Sequence, residues 1–141
     1  MRVGRPRVAV VSDRQIHVST KLGSTRARIE DESELQEVAL FSAYGELDLH
    51  VAPELQDRID AAVQNGAEVV IVDLSKVTFV DSMALGVLVG AVNRLRRGGR
   101  SLRLVVPSPE LRRIFEITHL DRVFTLDWTR EEALAQRSSP L

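Results

Sequence analysis

Cysteine is absent from the 141-residue chain, which excludes a disulfide framework and thiolate metal sites and fits a reducing cytoplasm. Aromatic residues are scarce at 4%, too few for the stacking surfaces with which single-strand readers hold bases. An excess of one charge sign is lacking as well. The formal net charge of -1 argues against bulk attraction to nucleic acid or to an anionic membrane. No apolar run approaches the roughly 18 residues of a membrane helix, and Val8 to Val11 is too short for a signal-peptide core. A soluble, unprocessed, cytoplasmic protein without membrane insertion is therefore expected. The Arg-rich start would suit an organellar transit peptide, but Pro6 and the lack of a helical apolar stripe speak against one.

Motifs of catalysis are missing too. There is no G-x-x-x-x-G-K-[ST] phosphate loop, no G-x-G-x-x-G after a strand and no G-x-S-x-G elbow. His17, His50 and His119 lie far apart, with no H-E-x-x-H and no Cys partner, so no metal is assigned and no cofactor is expected. The chain is read as a non-enzyme.

What is present suits one globular domain: 44% hydrophobic and 28% charged residues, on a length that supports its own core. Charge is unevenly spread. Met1 to Arg28 holds seven basic residues against Asp13, whereas Ile29 to Asp60 holds ten acids against Arg58. Residues 1–24 show no sustained period and are read as a flexible basic extension, in which Val8 to Val11 has room to dock as a short strand. The domain is placed at residues 25–136, and 137–141 as a fraying tail.

Within the domain, Arg26 to Asp31 and Glu37 to Tyr44 read as strands of an antiparallel hairpin, with Gly45 breaking the second. Ala52 to Asn65 carries Leu55, Ile59, Ala62 and Val63 at helical spacing and ends before Gly66. Glu68 to Leu74 holds the continuous apolar run Val69-Val70-Ile71-Val72, as in a strand covered on both faces, and Phe79-Val80 leads on from it. Ser82 to Arg97 is the strongest helix, opened by Asp81 and Ser82 and closed by Gly98-Gly99. Leu102 to Val106 and Val123 to Leu126 read as strands, Pro109 to Ile117 and Thr129 to Gln136 as helices. This order predicts an α/β domain: a mixed, mostly parallel sheet with an initial antiparallel hairpin, covered by about four helices. Gly86 and Gly90, four apart on one helical face, are expected to let that helix pack closely on the sheet. Arg94, Arg96, Arg97 and Arg100 are read as a solvated helix cap rather than a nucleic-acid patch.

Two acidic loops stand out, Gly45-Glu46-Leu47-Asp48 and Asp81-Ser82. Both follow strands and precede helices, so both can lie at one rim of the sheet. On residue type alone, Asp48 and Asp81 read first as helix caps and Gly45 as a turn residue.

The string Val80-Asp81-Ser82-Met83-Ala84-Leu85-Gly86-Val87-Leu88 resembles the D-S-[ST]-G-L-[GA]-x-L signature of anti-sigma factor antagonists, the STAS domains. Gly45-Glu46-Leu47-Asp48 followed by Ala52-Pro53-Glu54-Leu55 resembles the same family's G-E-[LI]-D-x-x-x-[AT]-x-x-L stretch. With the apolar strand, the Gly98-Gly99 break and the run Leu111 to Leu120 in matching order, the resemblance covers about residues 25 to 136. It implies a STAS-like fold and a protein-interaction function. Ser82 takes the position phosphorylated by a partner anti-sigma factor that is itself a serine kinase, and Asp48, Asp81, Met83 and Ala84 take the surrounding switch and partner-binding positions. Two residues depart from the pattern. Met83 stands where Ser or Thr is common, leaving Ser82 as the only hydroxyl of the motif, and Ala84 replaces Gly, whose added methyl is expected to narrow a kinase's approach.

The resemblance thus implies an anti-sigma factor antagonist that frees a sigma factor and is switched off at Ser82, with room for a phosphatase that resets it. The alternative is a STAS accessory subunit docking on a transporter ATPase. Nucleotide hydrolysis at the acidic rim is a third reading, disfavoured by the missing phosphate loop. Oligomeric state is not fixed by the sequence.

Overall fold

Val69 to Leu74 forms the middle of the sheet because every residue in it is apolar or finds a polar partner; all six are buried. The computed structural model describes residues 28–34 and 37–136, so the expected basic extension and C-terminal tail lie outside the described residues. Ten elements follow in order: β1 (Arg28–Asp31), β2 (Val38–Leu47), α1 (Ala52–Gln64), β3 (Val69–Val80), α2 (Ser82–Arg97), β4 (Ser101–Val105), α3 (Pro109–Ile117), a 3₁₀ turn (Leu120–Arg122), β5 (Thr125–Asp127) and α4 (Arg130–Ala135). The strands lie in the order β1-β2-β3-β4-β5. The β1–β2 pair is antiparallel and all later pairs are parallel. The fold is the mixed α/β sheet with four helices that the element order predicts.

Alternation along the strands sorts side chains into two layers. On one face Phe41, Val70, Val72, Leu74 and Leu104 meet Leu55 and Ile59 of α1, Leu88 and Val92 of α2, and Leu111 and Phe115 of α3. Fully burying each of these contributes roughly 1.5–3 kcal/mol. Phe115 meets Phe124 edge to face, at 5.5 Å and 84°, an arrangement aromatic rings favour. On the other face Val38, Leu40, Val69, Ile71 and Val105 pack with Ala133 and Leu134 of the short α4.

Polar groups hold α4 in place. The carboxylate of Asp73, buried within β3, accepts from Arg130 Nε and from the Ser75 amide. The same guanidinium pairs with Glu32 at 2.6 Å and donates to Ser42 Oγ. Arg130 therefore ties β2, β3, the β1–β2 connection and α4 together. Nearby, Arg103 grips both oxygens of Asp127 at 2.8 and 2.9 Å.

The structure corrects several expectations. β2 does not break at Gly45: the glycine sits inside the strand at φ 81°, and the pairing with β3 continues past it, with a register shift between Gly45 and Glu46 that leaves Thr78 of β3 as the extra, bulged residue. β3 runs six residues past Leu74. Its far half pairs with β2 as far as Leu47 opposite Val80, while β4 stops opposite Asp73, so Ser75, Lys76, Thr78 and Phe79 reach solvent and interrupt the apolar pattern. Gly86 does not pack on the sheet either. It lies on the exposed side of α2, where an added Cβ would meet nothing within 4 Å, and at Gly90 it would meet only the tip of Arg94 at 3.4 Å.

Candidate functional site

The rim at the carboxyl ends of β2 and β3 carries both acidic loops, and Asp81 joins them. Its amide donates to Leu47 O at 3.0 Å, where β2 ends. Its backbone is extended, and Oδ1 accepts from the Ala84 amide at 2.9 Å, the cap expected from the Asp-Ser pair. The other oxygen accepts from the Leu49 amide at 3.1 Å. One carboxylate thus closes the first turn of α2 and holds the loop after β2 beside it.

Asp48 has a different role from the cap expected of it. Its Oδ1 accepts from the His50 amide at 3.0 Å and its carbonyl from the amides of Val51 and Ala52. It closes the turn that leads into α1, whose first residue is preceded by Val51 with no side-chain cap.

Ser82 is the first residue of α2 and is exposed. First-turn amides of a helix have no intrahelical partners and carry the positive end of its dipole, so the hydroxyl stands where an anion would be favoured. Met83 beside it is 58% exposed. Ala84 is fully buried in the core against α2's own apolar side. Its methyl therefore points inward and leaves the approach to Ser82 open, contrary to the narrowing expected from the sequence.

Two rim residues were not legible in the sequence. Leu49 is 52% and Phe79 48% exposed, and both belong to the segments that flank Asp81. With Met83 they supply three of the five large apolar side chains exposed among the described residues. Their signal was an apolar residue at a strand's carboxyl end, out of phase with the buried set: Val77 and Val80 face inward and Phe79 outward.

The arginine cluster lies at the opposite end of α2 and is structural. Arg94 pairs with Asp60 at 2.8 Å, Arg96 donates to Val123 O at 2.6 Å and Arg100 to Ala67 O at 3.1 Å. Trp128 is 52% exposed with the Arg112 guanidinium 3.5 Å from its ring centre.

A mixed α/β sheet with an exposed serine opening α2, directly after the capping Asp81, defines the class. The STAS domain family model matches residues 32–133. An anti-sigma-B factor antagonist of Staphylococcus aureus is 36% identical over 76 residues, covering 54% of this chain and 70% of the relative. The crystal structure of an anti-sigma factor antagonist from Mycobacterium paratuberculosis superposes with a TM-score of 0.68 at 30% identity, over 77% of this chain and 93% of that one. The Bacillus cell fate determinant SpoIIAA in its phosphorylated form gives 0.62 at 27% identity, over 77% and 97%. The chain belongs to the anti-sigma factor antagonist (STAS domain) family.

Proposed function

We propose that this chain is an anti-sigma factor antagonist that docks its Ser82 rim on a serine-kinase anti-sigma factor in the cytoplasm, thereby freeing a sigma factor, and is switched off when Ser82 is phosphorylated. The observation that carries the reading is Ser82 itself, exposed at the head of α2 directly after the capping Asp81 and flanked by exposed Met83. The names of the relatives support the class of partner, and the phosphorylated SpoIIAA structure supports modification within the family.

The chemistry is a phosphoryl transfer performed by the partner. Ser82 Oγ bonds to the γ-phosphorus of ATP, the bond to the β,γ-bridging oxygen breaks, ADP leaves and the hydroxyl proton passes to a base on the kinase. The product carries about -1.5 to -2 charges. It gains from the open amides and dipole of α2, but it sets that charge beside Asp81 and among Leu49, Phe79 and Met83. A partner surface matched to the unmodified rim then meets a desolvation penalty and like-charge repulsion. The switch rests on local electrostatics, and a phosphatase resets it.

Intact-mass analysis after incubation with ATP and kinase-type anti-sigma factors, and with the anti-sigma-B factor that the staphylococcal relative is named as antagonising, tests this. One phosphate is expected on the native chain and none on Ser82→Ala. A partner that binds both chains without labelling either would contradict the switch and favour a constitutive docking domain, such as a subunit on a transporter ATPase.

A further inference from the structure

The hydrogen bonds of Asp81 do more than cap a helix. We propose that Asp81 is a positioning residue that locks the β2–α1 loop to the first turn of α2, presenting Leu49 and Ser82 to a partner as one preformed surface; this rests on the docking reading of the rim. The residue is only half-buried, yet both side-chain oxygens face backbone amides from two different segments, Leu49 at 3.1 Å and Ala84 at 2.9 Å, 32 and 3 residues away in sequence.

The bond to Ala84 is the ordinary requirement of a helix start, which Ser, Thr or Asn would also meet. The bond to Leu49 is not. It needs a second acceptor on the same side chain, and of the usual capping residues only aspartate offers two equivalent oxygens. The Asp81 amide meanwhile holds Leu47 O at 3.0 Å, so the loop after β2 is pinned to the same residue on both sides of Asp48. Asp48 adds its own turn at His50, which stiffens the loop between those anchors. Leu49, an exposed apolar residue, is thus kept at a fixed position relative to Ser82, and a rim ordered before contact loses less conformational entropy on binding.

A base for the Ser82 proton would need a free lone pair aimed at Oγ. Each Asp81 oxygen is already held by an amide, and the positioning role leaves the hydroxyl proton to the kinase. The two roles make different predictions for Asp81→Ser, which keeps a cap for Ala84 but is too short to reach Leu49.

Amide hydrogen exchange by NMR on the free chain is the first readout. In Asp81→Ser the Leu49 amide is expected to exchange about tenfold faster while that of Ala84 keeps its protection, because only the tether is lost. In Asp81→Ala both are expected to speed up. Unchanged exchange at Leu49 in Asp81→Ser would overturn the proposal. The second readout is labelling kinetics with the staphylococcal anti-sigma-B factor and ATP. Positioning predicts KM raised about tenfold for Asp81→Ser, kcat within about twofold and an unaltered pH profile. A fall in kcat of about a hundredfold or more, with a changed profile, would make Asp81 the base and refute positioning. If the native chain takes no label, the switch reading fails, and exchange at Leu49 still decides whether Asp81 anchors the loop.

Discussion

Asp73 is a carboxylate in the middle of a covered strand, where an unpaired charge would be expelled or neutralised. Burial pushes its acidity toward the protonated form, but hydrogen bonds from Arg130 and Ser75 outweigh it, and the net effect holds the group below the ordinary carboxylate range. A folded-state pKa below the unfolded one stabilises the protein above about pH 4, and that contribution is lost as pH falls through the depressed value. Urea unfolding between pH 7 and pH 2 should therefore show a steeper acid loss in the native chain than in Asp73→Asn. At neutral pH, Arg130→Leu leaves Asp73 charged and buried with its main partner gone, and should cost about 3 kcal/mol, more than Asp73→Asn. Equal losses for the two variants would mean that Arg130 contributes packing alone. This cluster was half legible. Ser42 and Asp73 interrupt apolar strand sequences, which signals a need for partners, but the partner lies 88 and 57 residues further along the chain, and no local pattern points to it.

At the scale of elements, α2 was legible end to end because its signals agree: Asp81 caps it, apolar residues recur on one side, and Gly98 follows its last arginine. Its glycines were misread, since spacing alone says that Gly86 and Gly90 share a face but not which face meets the sheet. The buried face is that of Ala84, Leu88, Ala91, Val92 and Leu95. With open space around it and no positive φ, Gly86 should accept alanine, and Gly86→Ala is predicted to raise stability by about 0.5–1 kcal/mol in denaturant unfolding. A loss of stability would show that the exposed side of α2 is more crowded than its surroundings indicate. β3 was legible as a covered strand only where both β2 and β4 pair with it. Beyond Leu74 β4 no longer pairs with β3 and polar residues enter the pattern, and Gly45 reads as a stop although β2 runs through it to the rim.

Across the whole molecule the two ends of α2 divide the labour. Its carboxyl end is fastened by arginines to Asp60, Ala67 and Val123, while its amino end, at the carboxyl edge of β2 and β3, exposes Ser82, Met83 and the neighbouring Leu49 and Phe79. Among the described residues no helix is long and apolar enough to cross a membrane. The position of Ser82 and its cap was legible because the Asp-Ser pair sits at a strand-to-helix junction. The exposed apolar residues of the rim were not, since Leu49 and Phe79 acquire meaning only when the two loops meet.

The central claim is that a phosphate on Ser82 removes the chain from its partner. Affinity for a kinase-type anti-sigma factor, measured by calorimetry with a non-hydrolysable ATP analogue for the unmodified and the Ser82-phosphorylated chain, tests it most directly. The account predicts a loss of about tenfold or more on phosphorylation, with unmodified Ser82→Ala binding like the native chain. Equal affinity of the two forms would contradict it.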